Sequence, residues 1–308
     1  SKERAKMVPS SLPNPVFLGS ALPVRPSGGG ARGAHWLDPH LRYTSLAEIS
    51  STFHAPLRAE IGALYARKAA SAPDFLYTAL LGRRFTYDRD LAPEAIAAWK
   101  AGLFPLLRER RLGALVLQFP WAFRFTAANR EFFIQLRRAF RESPLAAEFR
   151  HESWLSEEAL GTLIDYRVAF VNLDQPAYFR AMPPAAVLTA GFAVVRLLGR
   201  GPAEAFQRFE QGPAPRPYLY SLDDLEAWLP RLRRLGACAP RTLVIAANPG
   251  TDYAFVNALQ LREMLGAGPL RAPAPLIRRF PAELAAFRAD RPVQTALLAD
   301  ATPARAVA

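Results

Sequence analysis

Apolar positions gather in eight short runs, at 16–21, 44–50, 75–80, 114–119, 145–150, 168–174, 192–198 and 242–248. They are rich in β-branched and aromatic residues, and several have no polar alternation. That pattern is expected of strands covered on both faces. Segments of helical period lie between most of them, at 56–69, 93–111, 127–140, 156–166 and 222–235, with 253–265 after the last run. Helix-start chemistry supports the placement: Pro93-Glu94 puts proline and acid in a first turn, and Ser156-Glu157-Glu158 and Ser221-Leu222-Asp223-Asp224 read as capped N-termini. Strand and helix in alternation imply parallel strands joined by crossovers. Eight such units in about 250 residues predict a closed (β/α)8 barrel of the TIM type rather than an open doubly wound sheet.

Two regions break the alternation. Residues 25–42 are rich in Gly and Pro without helical period, so the first crossover is expected to be short or irregular. Gly28-Gly29-Gly30 sits among prolines and small residues and reads as a flexible loop, not a phosphate-binding one. The expected organisation is an N-terminal extension at 1–15, the barrel at 16–266, and a Pro-, Ala- and Arg-rich tail at 267–308. One helix is predicted at 281–289, with a mobile stretch from Pro292 onward.

Composition narrows the setting. Of 308 residues, 51% are hydrophobic, enough for a sizeable core, and no apolar run approaches the roughly 18–20 residues that span a bilayer. The first residues lack a signal peptide's apolar stretch, so a cytoplasmic location is expected. A single cysteine, Cys238, excludes an internal disulfide framework and a multi-cysteine zinc site. The net charge of +12, with 39 Lys and Arg against 27 Asp and Glu, favours anionic partners: a small anion or nucleic acid. Clusters such as Arg108 to Arg111 and Arg231 to Arg234 fall at helix ends, where cations complement the helix dipole and face water.

In a TIM barrel, function belongs at the carboxyl ends of the strands. The residues that interrupt apolar character there are Glu48 and Ser50, Gln118, Glu148 and Arg150, Asn172 and Asp174, Arg196, and Asn248. Glu148 and Arg150 are two apart, so a strand presents both on one face, and His151 on the other. Buried charges of this kind must pair or meet a charged ligand. The expectation is three carboxylates and two arginines converging on one rim. Glu148, Asp174 and Glu48 are the candidate acid/base groups, while Arg150, Arg196, Gln118, Asn248 and His151 are candidates for holding substrate. An internal salt-bridge ring that only closes the barrel top is the competing reading.

The histidines, His35, His40, His54 and His151, have no metal-ligand spacing. Glu48, Glu148 and Asp174 could hold Mg²⁺ or Mn²⁺, but Arg150 and Arg196 on the same rim would oppose a cation, so no metal or other cofactor is expected. Ser153 lies in no nucleophile-elbow sequence. Trp121, Phe123 and Phe125, interleaved with Arg124, could stack on a base or sugar or simply anchor their loop. Trp154 reads as a cap on the fifth strand.

These same segments carry a family resemblance. Ala47-Glu48-Ile49-Ser50-Ser51-Thr52-Phe53, Leu117-Gln118-Phe119-Pro120, Glu148-Phe149-Arg150-His151-Glu152-Ser153-Trp154, Asn172-Leu173-Asp174-Gln175-Pro176, Val195-Arg196-Leu197-Leu198-Gly199 and Asn257-Ala258 resemble the YecE-like family of unknown function, over residues 16–266. The resemblance implies a TIM-type barrel. Its likeness to the barrels of apurinic endonucleases and sugar isomerases suggests phosphate-ester or sugar chemistry by analogy of fold. The chain departs from the family pattern at Ser50, His54, Leu80, Tyr87 and Leu198, where Asn, Tyr, Lys, His and His are usual. Two expectations follow: a hydrolase or lyase using carboxylate acid/base catalysis on a phosphorylated or other anionic substrate, or an inactive descendant that binds nucleic acid or a protein through its basic surface.

Overall fold

A computed structural model describes residues 12–21, 37–202, 216–268 and 270–290. Eight parallel strands close into a barrel in chain order: β1 (Val16–Ala21), β2 (Leu46–Ile49), β3 (Leu76–Leu80), β4 (Leu112–Gln118), β5 (Leu145–Glu148), β6 (Ala169–Asp174), β7 (Ala193–Leu197) and β8 (Thr242–Ala246), with β8 pairing back onto β1. Each strand falls within or beside a predicted apolar run. Closure requires β1 to lie close to β2, and Gly19 permits it, since a Cβ there would overlap the Leu46 carbonyl oxygen.

The helices form the outer layer: α1 (Asp38–Tyr43), α2 (Ala59–Ala69), α3 (Arg83–Thr86), α4 (Pro93–Arg108), α5 (Ala127–Ala139), α6 (Glu157–Asp165), α7 (Leu222–Glu226), α8 (Leu229–Cys238), α9 (Tyr253–Met264) and α10 (Ala274–Arg279). The capped starts take the predicted form. Ser156 accepts from the Ala159 amide, and Ser221 forms a capping box with Asp224. The helix predicted over 222–235 divides in two around Trp228, because Pro230 has no N–H to continue the first segment and instead serves as a start residue for α8. Among the described residues of the first crossover the helix is short, as expected: α1, six residues long, precedes β2. Gly28-Gly29-Gly30 lies outside the described residues, as do most of the expected N-terminal extension and the stretch from Pro292 onward.

The tail departs from expectation up to residue 290. It forms α10 and a two-stranded parallel sheet of β9 (Arg271–Ala272) and β10 (Arg288–Ala289), in place of the helix predicted at 281–289. The cause is tertiary. Leu276, Phe280, Leu284 and Phe287 bury themselves with Tyr43, Val256 and Leu259, a surface the tail sequence alone does not reveal. Among the described residues no helix is long and apolar enough to cross a membrane.

Candidate active site at the barrel mouth

Strand register decides which face each polar residue occupies. Arg196 on β7 reaches both Glu48 on β2 and Glu148 on β5, so it points into the barrel. Its partner on β6 is Leu173, and the next pair is Leu197 with Asp174, which places Asp174 on the outer face. Glu48 pairs in register with Thr78, and Glu148 with Gln118, so all four of these side chains line the interior.

Inside the barrel lies a chain of four buried charges. Arg196 makes a two-pronged ion pair with Glu48, Nη2 to Oε1 at 2.7 Å and Nε to Oε2 at 3.0 Å, and its Nη1 donates to Glu148 Oε2. Arg150 donates to the other oxygen of Glu148, from Nη2 at 3.2 Å and Nε at 3.3 Å. All four side chains are at most 4% exposed. Two positive and two negative charges balance, which is what allows such a cluster to persist away from water. Glu148 and Arg150 thus share a face, as their spacing predicts.

Above this chain the mouth carries neutral polar groups. Ser50 donates to Glu48 Oε1 at 3.5 Å, and Gln118 to the Tyr87 hydroxyl at 3.4 Å. The connection between β6 and β7 straps over the carboxyl end of β5. Met182 N–H donates to the Arg150 carbonyl, Gln175 donates to the same carbonyl, and Tyr178 donates to Gln175 Oε1 at 3.0 Å. Burial pushes the Tyr178 phenol up to about 12, so it serves as a neutral donor at ordinary pH.

The expectation of three carboxylates on one rim is therefore corrected: the register brings Glu48 and Glu148 together and turns Asp174 away from them. Asp174 is held between the barrel wall and the helices by a fork from Arg200, 2.9 and 2.7 Å, and by the indole of Trp228. Arg200 also pairs with Asp224 at 2.6 Å, tying the end of β7 to the capping box of α7. Sequence reading missed Arg200 and Trp228. Arg200 stands in a turn just after Gly199, which has φ of 85°, and nothing local marks its partner 26 residues earlier. Asn248 also belongs to the outer layer, donating to the Tyr218 carbonyl at 2.7 Å and to Asn257 at 3.0 Å. Asn172 bonds the backbone of Val187 and Val194.

His151, on the opposite face from Arg150, accepts the Ser153 amide on Nδ1 at 3.1 Å and contacts the Ser153 hydroxyl at 2.9 Å. In the neutral ring the proton therefore sits on Nε2. Burial and the nearby Arg180 and Arg124 hold its pKa below the ordinary histidine value. Phe123 and Trp154 are buried in a stack with Phe149, and Phe125 meets Trp154 edge-on, so both phenylalanines of the loop after β4 act as anchors. Trp121 and Phe125 both keep partial exposure, and the Arg124 guanidinium lies 5.2 Å from the Trp121 ring centre.

Among the described residues no three His, Cys, Asp or Glu side chains converge as metal donors. Between Glu48 and Glu148 the protein places the Arg196 guanidinium.

A closed parallel barrel with buried charges at the carboxyl ends of its strands makes this a TIM-type barrel protein. The chain belongs to the family described as "Protein of unknown function DUF72", whose model matches residues 26–279, and the YecE-like resemblance read from its motifs is borne out. It is 23% identical over 243 residues to the UPF0759 protein YunF of Bacillus subtilis (strain 168), covering 74% of this chain and 86% of that one. Among solved structures it resembles a DUF72 family protein from Enterococcus faecalis V583, with TM-score 0.70, 20% identity, and 83% of this chain and 99% of that one covered. A DUF72 family protein from Thermotoga maritima MSB8 matches with TM-score 0.67 and 24% identity, covering 82% of this chain and all of that one. These structural likenesses establish the fold.

Proposed function

We propose that the barrel mouth is the active site of a cytoplasmic enzyme acting on a small anionic substrate, a phosphorylated or carboxylated sugar-like molecule or a nucleic-acid component. The observation that carries this reading is the unequal grip on Glu148. Arg196 binds tightly between the two glutamates, whereas Arg150 holds Glu148 through bonds of 3.2 and 3.3 Å, long for charge-assisted pairs. An anion arriving at the mouth competes with Glu148 for the Arg150 fork. As Arg150 turns to the ligand, Glu148 Oε1 is released to take or give a proton, while Arg196 and Glu48 keep the carboxylate in position. Gln118 and the hydroxyls of Tyr87 and Tyr178 supply neutral hydrogen bonds for orientation. Asp174, engaged on the outer face, supports the wall between β6 and β7. His151 and Asn248 brace loops at the rim.

A second reading, an inactive relative that binds nucleic acid or protein through its basic surface, is favoured by the charge balance of the four-residue chain, which is complete without a ligand. One experiment separates the two: titration of single-stranded, double-stranded and abasic oligonucleotides and of sugar phosphates, with and without Mg²⁺ or Mn²⁺, with each mixture assayed for product. Turnover lost in Glu148→Gln while the fold is retained supports the enzyme. Binding without turnover, steeply weakened by salt and unchanged in Glu148→Gln, supports the binder.

A further inference from the structure

At the opposite pole, the amino-terminal face of the barrel, a pocket of about 240 Å³ is lined by Arg42, Tyr43, Arg262, Arg271 and Asp290. Its members come from α1, the last turn of α9, β9 and the residue after β10. Three guanidiniums thus face one carboxylate. Asp290 already behaves as a bound oxyanion: it accepts from the Tyr43 hydroxyl at 2.7 Å and from Arg271 Nη1 at 3.2 Å, and forms an ion pair with Arg42 Nε at 2.5 Å. These donors hold its carboxyl below the usual range.

Arg262 is left over. It is partly buried, its one side-chain hydrogen bond goes to the Tyr43 carbonyl, and no carboxylate lies within ion-pair distance of it among the described residues. Burial alone lowers its pKa. The C-terminus of α9 offsets at most about half a charge, so an excess of more than one positive charge remains in a partly desolvated pocket. The volume lies just under the roughly 300 Å³ at which drug-sized pockets begin, which suits a small ligand. Arginine forks match the oxygens of a phosphoryl group two at a time.

We propose that this pocket is a second anion site, binding the phosphoryl group of a small phosphomonoester between Arg262, Arg271 and Arg42, with Asp290 as the competing internal carboxylate. The site is separate from the barrel mouth and goes beyond the reading given for it. The test is calorimetric titration of the full chain with inorganic phosphate at constant ionic strength, set with chloride. The expected result is a saturable site that weakens roughly tenfold in Arg262→Met, which keeps the aliphatic packing but loses the fork. The same site should tighten in Asp290→Asn, which keeps an acceptor for Tyr43 but removes the competing charge. Arg271→Gln, at an exposed position, should weaken binding likewise and serves if Arg262→Met does not fold. Absence of heat, wild-type affinity in both arginine variants, or phosphate binding lost in Arg150→Gln but unchanged in Arg262→Met each overturns the proposal. The last outcome would assign the phosphate to the barrel mouth.

Discussion

Arg196 and Glu48 stand 148 positions apart in the chain and meet across the barrel interior through two parallel hydrogen bonds of 2.7 and 3.0 Å. Arg196 also serves Glu148, so one guanidinium from β7 ties β2 to β5 without lying beside either in the sheet.

Arg196→Met should cost about 3–5 kcal/mol, because buried Glu48 loses its charged partner and Glu148 loses one of its two. The double variant Glu48→Gln, Arg196→Met should be less destabilised than the sum of the single changes, since the remaining Glu148–Arg150 pair keeps the cluster neutral. Denaturant unfolding of each variant measures this. Additive effects would mean that the cluster does not act as a unit.

His151 gives the stability a dependence on acid pH. Its folded pKa is lowered from 6.5 by burial, with Arg180 and Arg124 adding to the effect, so the unfolded chain binds the proton first. Stability from this residue is full above pH 6.5 and declines as pH falls through that value towards the lower folded pKa. Thermal unfolding at pH 7.5 and 5.5 should show a larger loss in the wild type than in His151→Gln. Equal losses would remove His151 as the source.

At alkaline pH the tyrosines act in the opposite sense. Burial raises Tyr65 and Tyr178 to about 12, and burial together with Asp290 does the same for Tyr43. Stability from these groups is intact below their unfolded value of 10 and is lost as pH rises from 10 towards 12. Phenolate absorbance should therefore lag behind that of free tyrosine and then rise with unfolding. Tyr178→Phe should make that loss shallower.

Trp228→Phe removes the indole donor to Asp174 and leaves a small void beside Leu225 and Leu232. A loss of about 2 kcal/mol is expected from the broken bond to a charged acceptor and the imperfect refilling. Because Asp174 lies outside the barrel, turnover at the mouth should change far less than in Glu148→Gln. A comparable loss of turnover in a stably folded Trp228→Phe protein would return Asp174 to the catalytic groups.

Much of this was legible in the sequence. Eight apolar runs alternating with helical periods specify a parallel barrel, because strands covered on both faces need continuous apolarity and parallel neighbours need crossovers. The spacing of Glu148 and Arg150 places both on one face, since side chains alternate along a strand. What the sequence could not provide is how each strand's faces lie relative to those of the others. Glu48, Glu148 and Asp174 look alike at three strand ends, but the pairing of Leu173 with Arg196 sends Asp174 outward to Arg200 and Trp228. The arginine pocket around Asp290 is equally invisible in one dimension, because its members come from parts of the chain up to 248 positions apart. Local periodicity records whether a residue is on an inner or outer face of its own element. Which charges meet depends on register and closure, set by pairing energies spread over the whole barrel, and only the tertiary structure decides that.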